Sequence, residues 1–310
     1  MKILISDKLQ DEGIEIFEDN GFEVIKKFTI TKEELKQEIG DYDGIVVRSR
    51  TKLTADVLEN ARNLKVIGRA GAGLDNVDRK KATEMNIEVL NTPEAPAVSV
   101  AEFALGLMLA LTRKISYADR TTHEAQWKKN DCLGYTLNGK KLGLVGFGNI
   151  AKHLAKITIA IGMDVGVYSR FSRGQVAIDE AKNIGCSIYP SVEDLLKDAQ
   201  VISLHLPSSP QTENIINEER LKLMRNDAIL INTARGNLID ESALLNALKN
   251  KEIAGAALDV YREEPLKNQE LINWDENLIL TPHIASQSIE NQTAAATMIA
   301  EKMSNFLKNK

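Results

Sequence analysis

Arg235, Glu264 and His283 each stand just beyond a short apolar run, in the segments Ile231-Asn232-Thr233-Ala234-Arg235-Gly236, Glu263-Glu264-Pro265 and Thr281-Pro282-His283. Such runs read as buried strands, and ligands of open α/β sheets bind beyond the carboxyl ends of strands. A guanidinium placed there can grip a carboxylate through two hydrogen bonds and polarise the adjacent carbonyl. Imidazole exchanges protons near neutral pH, so His283 suits a general base that takes a hydroxyl proton as hydride leaves the same carbon. A carboxylate at Glu264 would bond the far ring nitrogen, fixing the tautomer and favouring the imidazolium. Each residue also has a plainer reading, as surface cation, solvated loop carboxylate or structural histidine. His123 and His153 read as surface residues, and His205, in Leu204-His205-Leu206-Pro207, as lining a cofactor site rather than transferring protons.

Gly146-Phe147-Gly148-Asn149-Ile150-Ala151 directly follows the predicted strand Leu142 to Val145 and opens a helix through Leu154, Ile157 and Ile161. The first glycine permits a tight turn, the second lets a pyrophosphate approach the backbone, and the small third residue lets helix and strand pack. Alone the pattern is weak. Here strand, helix and a second strand ending at Tyr168 fall where a dinucleotide fold requires them. That second strand leads not to the usual ribose-binding acid but to Ser169-Arg170-Phe171-Ser172-Arg173. Ser169, Arg170 and Arg173 make a cradle for the 2′-phosphate of NADP, or a solvated loop beside a site that takes either NAD or NADP.

The elements that must carry these residues alternate between short β-branched runs and helical patterns. Strands are predicted at Ile3 to Ser6, Glu23 to Ile25, Ile45 to Val47, Lys65 to Ile67 and Ile87 to Leu90. A second series runs through Leu142 to Val145, Asp164 to Tyr168, Ala199 to Leu204, Ala228 to Ile231, Ala254 to Leu258 and Leu278 to Leu280. Thr31 and Glu34 form a capping box, with Gly40 expected at that helix's C-terminus. The fold class is therefore α/β, with two doubly wound parallel sheets. A long apolar helix from about Val98 to Thr112 and a polar segment from Ser116 to Asn138 separate the series. The domains are expected at residues 1–97 with 286–310, and 98–285, if the last helix, about Ile289 to Leu307, returns to the first sheet.

At 310 residues, two domains can each bury a core. The two cysteines, Cys132 and Cys186, have no close partner, which argues against a disulfide framework or zinc cage, leaves no expected metal, and points to a reducing, cytoplasmic setting. The N-terminus resembles a first strand rather than a signal peptide, and the longest apolar stretch, Phe103 to Leu111, is too short to span a membrane. A net charge of -5 with interspersed signs and few aromatics argues against nucleic acid.

Several ordered segments together resemble the D-isomer-specific 2-hydroxyacid dehydrogenase family over nearly the whole chain. They are Val47-Arg48-Ser49, Gly68 to Asp78, Asn91-Thr92-Pro93, Val100-Ala101-Glu102, the glycine loop, Asn232 to Gly236, Ala257-Leu258-Asp259-Val260, Glu264-Pro265 and Pro282-His283. The resemblance implies a Rossmann dinucleotide-binding domain and a flavodoxin-like substrate domain hinged to it, with closure excluding water. It implies that Arg235, Glu264 and His283 are the catalytic trio, and that Asp259 contacts the nicotinamide end. His205, Leu206, Pro207, Thr212, Thr233 and Ala234 would line the cofactor. It further implies that Arg48, Ser49, Arg50, Arg69, Gly71, Ala72 and Gly73 meet the substrate. A homodimer through Val98 to Asn138 is expected.

The Gly68-Arg69-Ala70-Gly71 segment favours the branch that oxidises 3-phosphoglycerate to 3-phosphohydroxypyruvate in serine biosynthesis. Against that branch's pattern stand the missing ribose acid and Ile284-Ala285-Ser286-Gln287-Ser288 in place of a Gly-Ala-Ser-Thr sequence. With the sequence ending at Lys310, feedback inhibition through a C-terminal regulatory domain is not expected. The competing readings are a glyoxylate or hydroxypyruvate reductase, which the arginines of the ribose loop favour, and a dinucleotide-sensing corepressor, which an intact trio opposes.

Overall fold

The computed structural model describes residues 1–170 and 174–310. The chain forms two compact units, Met1–Pro96 with Ser286–Lys310, and Ala97–Ala285.

In the first unit, β1 (Lys2–Ile5), α1 (Asp11–Asp19), β2 (Glu23–Lys26), α2 (Lys32–Glu38), β3 (Gly44–Val47), α3 (Ala55–Leu58), β4 (Val66–Arg69), α4 (Arg79–Glu84) and β5 (Glu88–Asn91) follow one another. The strands are all parallel in the order β2-β1-β3-β4-β5, the flavodoxin-like winding. Side chains alternate across the sheet. Leu4, Ile45, Val47 and Ile67 pack with Leu35, Ile39, Leu53 and Leu58 on one face. Ile3, Ile5, Val46 and Val66 pack on the other with Ile14 and Phe17 of α1 and with Ala296, Ile299, Ala300, Met303 and Leu307. Those last residues belong to the helix Ile289–Lys308, so the chain's final segment completes the first sheet's core. Two glycines permit that approach. A Cβ at Gly13 would stand 2.6 Å from the Ala296 carbonyl oxygen, and one at Gly68 would stand 2.1 Å from Met303 Sδ.

The capping box on α2 is present, with Glu34 N–H donating to Thr31 Oγ1 and Thr31 N–H to Glu34. Gly40 stands just past the helix's C-cap Ile39, as expected, but without the left-handed φ of a capping glycine. It sits inside a 3-10 turn, Ile39–Asp41, where a side chain would collide with the Asn60 carbonyl oxygen at 2.8 Å. Close backbone approach, not a left-handed cap, is what requires glycine there.

The second unit opens with α5 (Ala97–Thr112) and α6 (Ile115–His123), the latter within the stretch read as a polar segment. Then come β6 (Lys141–Val145), α7 (Asn149–Ala160), β7 (Asp164–Tyr168), α8 (Gln175–Ile184), β8 (Ser187–Ile188), α9 (Val192–Asp198) and β9 (Val201–Leu204). They are followed by α10 (Glu218–Leu221), β10 (Ile229–Asn232), α11 (Glu241–Lys249), β11 (Gly255–Leu258), α12 (Gln269–Asn273) and β12 (Leu278–Leu280). Among the described residues the sheet has seven parallel strands in the order β12-β11-β10-β9-β6-β7-β8. Winding reverses between β6 and β9, the switch point at which open α/β sheets bind ligands. Strands β9, β10 and β11 are buried along their whole length, as a sheet covered on both faces demands. Ala101, Ala104, Leu107 and Met108 of α5 pack with Leu154 and Ala155 of α7 against one face, and Leu195, Leu244 and Ala247 against the other.

Candidate active site

The loop after β6 turns at Gly146, whose φ of 103° a side chain would resist and whose Cβ would meet the His205 carbonyl oxygen at 2.3 Å. The β6 and β9 ends are thereby held together, with His205 N–H donating to the Val145 carbonyl. Phe147 is buried as an anchor, whereas Gly148 and Asn149 are exposed and Ile150 half-buried at the start of α7. Nothing stands within 4 Å of a Cβ at Gly148, so the α7 amides are open to an anion. Ser169 is half-buried and Arg170 exposed beyond β7; Arg173 lies outside the described residues.

His205 bonds Ser203 Oγ through Nε2 at 2.9 Å, and burial pushes its imidazole down to about 4, so the ring is neutral at ordinary pH. Leu206 is half-buried and Pro207 exposed. Thr212 closes this loop on itself, donating to the Pro207 carbonyl (2.7 Å) and accepting from Ser209 N–H (2.9 Å). At the end of β10, Thr233 Oγ1 is buried without a hydrogen-bond partner among the described residues, and Ala234 is half-buried beside it. An orphaned hydroxyl, an open glycine and free helix amides along one sheet edge fit a dinucleotide.

The trio sits further along the same edge. Asn232 braces the turn that carries Arg235, accepting from Ala234 N–H (3.0 Å) and donating to the Arg235 carbonyl (2.9 Å). Arg235 is half-buried, with Nη1 donating to the Ala234 carbonyl at 2.6 Å. The next residue, Gly236, leaves room for the segment after β11, because a Cβ there would lie 1.9 Å from the Tyr261 carbonyl carbon. Tyr261 in turn orients Glu264. Its N–H donates to Glu264 Oε1 (3.1 Å), and Glu264 Oε2 lies 2.7 Å from His283 Nδ1. The Tyr261 hydroxyl bridges the carbonyls of Leu258 and Thr281, and burial, with the charge of Asp259 nearby, pushes it up to about 12. The contact expected between Glu264 and His283 is thus formed, through Nδ1 of the ring.

Asp259 is fully buried, and its contacts are to the turn bearing His283. Oδ1 accepts from Thr281 Oγ1 (2.6 Å) and Ile284 N–H (2.8 Å), and Oδ2 accepts from Ala285 N–H (2.8 Å). His283 adopts a left-handed φ of 55°, which this cage of bonds sustains.

In the first unit, Arg48, Ser49 and Arg50 follow β3, while Arg69 ends β4 and Gly71, Ala72 and Gly73 follow it, at two adjacent carboxyl ends. Gly71 makes room for Arg69, since a Cβ would lie 1.5 Å from its Nη1. Asn91 Nδ2 holds the Ala72 carbonyl at 2.7 Å. The residues that sequence reading passed over are Asp7, Tyr261 and Asn232. Asp7 ends the run Ile3-Leu4-Ile5-Ser6-Asp7, a polar residue just past a strand, which was the available signal.

Fold and site define a dinucleotide-binding α/β protein with an imidazole–carboxylate relay and an arginine on one sheet edge. Residues 105–285 match the family model described as D-isomer specific 2-hydroxyacid dehydrogenase, NAD binding domain, and the chain belongs to that family. It is 44% identical over 308 residues to the D-3-phosphoglycerate dehydrogenase of Methanocaldococcus jannaschii, covering 99% of this chain and 58% of that protein. The chain thus spans little more than half the length of that relative. Over 307 residues it is 39% identical to the hydroxypyruvate reductase of Thermotoga maritima, covering 97% of each. The NADPH-dependent glyoxylate/hydroxypyruvate reductase of Sinorhizobium meliloti, solved with NADP and malonate, superposes with a TM-score of 0.85 at 26% identity, covering 99% of this chain and 93% of that one.

Proposed function

We propose that the chain is an NAD(P)-dependent dehydrogenase that interconverts 3-phosphoglycerate and 3-phosphohydroxypyruvate, with Arg235, Glu264 and His283 as its catalytic residues. The observation that carries the reaction type is the 2.7 Å contact between His283 Nδ1 and Glu264 Oε2 on the edge that also holds the glycine loop. The bound dinucleotide supplies the hydride acceptor. Arg235 binds the substrate carboxylate and polarises C2–O. His283 Nε2 takes the hydroxyl proton while the C2 hydrogen departs with its electron pair, and Glu264 stabilises the imidazolium that forms. In reduction the same residue returns the proton to the alkoxide. The Methanocaldococcus relative supports the phosphorylated substrate.

The loop after Tyr168 opens with Ser169 and Arg170 and supplies no ribose carboxylate from residues 169–173, which favours acceptance of NADP as well as NAD. Parallel initial rates with D-3-phosphoglycerate and each dinucleotide, with the keto acid removed as it forms, test both points. Turnover is expected with both cofactors. Reduction of hydroxypyruvate or glyoxylate with no turnover of phosphoglycerate would move the chain to the reductase reading, which the Thermotoga relative supports.

The assembly is a homodimer through residues 98–138, where Leu109, Ile115, Trp127 and Leu133 are exposed, the last two by 85% and 83%. Light scattering on Trp127→Glu/Leu133→Glu is expected to give monomers from a dimeric parent; an unchanged mass would place the interface elsewhere. Among the described residues no helix is long and apolar enough to cross a membrane.

A further inference from the structure

The loop after β3 carries two arginines, and the structure treats them oppositely. Asp7, 4% exposed, follows β1 and reaches this loop with both oxygens. Oδ1 accepts from Thr51 Oγ1 (2.7 Å) and pairs with Arg50 Nε (3.0 Å). Oδ2 accepts from the backbone N–H groups of Arg48 (2.6 Å) and Thr51 (3.2 Å). The rest of the Arg50 guanidinium is spent on the scaffold, Nη1 donating to the Ile30 carbonyl (3.1 Å) and Nη2 to the Ser6 carbonyl and Thr51 Oγ1. Three of its five N–H donors are hydrogen-bonded to the scaffold, and Nε is ion-paired with Asp7. Asn76 Nδ2 completes the clamp, holding the carbonyls of Arg48 (2.7 Å) and Thr51 (2.6 Å).

Arg48 differs. Its backbone is pinned at both ends by Asp7 and Asn76, yet its half-buried guanidinium has no hydrogen bond or ion pair among the described residues. Burial lowers its proton affinity against the attraction of Asp7. A cation partly withdrawn from water and left without a bonded anion is costly unless a ligand completes it.

We propose that Asp7 is a positioning residue for substrate binding: it commits Arg50 to the scaffold and fixes the Arg48 backbone, leaving the Arg48 guanidinium as receptor for an anionic group of the acid. The proposal rests on the reading of the chain as a 2-hydroxyacid dehydrogenase, and it separates arginines that their shared motif makes look equivalent. Arg50 shapes the loop. Arg48 binds.

The test compares wild type, Arg48→Gln, Asp7→Asn and the double variant. KM and kcat are measured with 3-phosphohydroxypyruvate and with hydroxypyruvate, and dinucleotide Kd by fluorescence of the reduced cofactor. Each single substitution is expected to raise the KM for the acid by about tenfold, with kcat and dinucleotide Kd held within about twofold. Because Asp7 acts through Arg48, the double variant should be no worse than Arg48→Gln alone. Multiplying effects, or a wild-type KM in Asp7→Asn, overturn the proposal. Should Asp7→Asn fail to fold, Thr51→Val loosens the same carboxylate and is expected to raise KM by about threefold; an unchanged KM overturns the proposal. Turnover of hydroxypyruvate alone would sink the phosphoglycerate reading only, and the comparison is then made on hydroxypyruvate. If neither acid is turned over, the activity is wrong, and calorimetry with 3-phosphoglycerate decides: binding lost in Arg48→Gln supports the receptor, and absent or equal binding in wild type and variant overturns it.

Discussion

His283 holds its imidazole on a left-handed residue that three bonds to the buried Asp259 carboxylate keep in place, and Glu264 fixes the ring from the other side. Removing the imidazole should therefore abolish proton transfer while leaving the glycine loop untouched. His283→Ala is expected to lower kcat by about 10²–10⁴-fold, with dinucleotide affinity unchanged in a fluorescence titration. Unchanged turnover would remove His283 from the mechanism. The pairing of Glu264 with His283 could be read in the sequence because each is a chemically reactive type just past a strand. Tyr261 and Asn232 could not, since they act through a backbone N–H, a carbonyl clamp and a side-chain amide, and any number of loop residues have those groups. Asp259 stood out in the sequence only through the family segment that holds it, and its three contacts to the His283 turn exist only once β11 and β12 lie side by side. Arg50 shows the same limit from the other direction: its charge was visible, its commitment to Asp7 was not.

Strand ends, more than single side chains, set the site's dimensions. Gly236→Ala would drive a methyl group into the Tyr261 backbone and force the loops after β10 and β11 apart. It is expected to cost about 3 kcal/mol, the upper end for overpacking, and to lower kcat more than it raises dinucleotide Kd. Denaturant titration with steady-state kinetics checks both. His205, between the β6 and β9 ends, predicts an acid sensitivity. Its folded value of about 4 lies below the ordinary 6.5, so the unfolded chain takes up the proton first. The stability it confers is intact above pH 6.5 and is lost as pH falls from 6.5 toward 4. Thermal melts across that range should fall less steeply for His205→Gln than for wild type, and parallel curves would refute the assignment. At this scale hydrophobic runs disclosed most strands to within two residues, because parallel strands buried on both faces are nearly pure aliphatic sequence. β8 escaped because two residues carry no period, and the reason for Gly40 was hidden because a helix-capping glycine and a glycine under a passing backbone look alike in sequence.

The two-unit architecture depends on a helix that comes last in the chain. Ala296, Ile299, Ala300 and Met303 are fully buried against strands made at the beginning. Ile299→Ala is expected to destabilise the first unit by about 2–5 kcal/mol, lowering its denaturant midpoint while the second unit's dinucleotide affinity is retained. An unshifted midpoint would mean that the helix is dispensable to that core. The helix itself was plain from its periodicity, but its destination was not, since an amphipathic face does not name the sheet it covers. A consequence for biosynthesis follows. The first ninety-six residues emerge from the ribosome with one sheet face covered only by α1, and the segment that completes the cover follows only after about 190 further residues. At about 5–20 residues per second the wait lasts about 10–40 s, long enough for the second unit to fold and for a chaperone to occupy the exposed face. Of the two units, the one begun first is the one completed second.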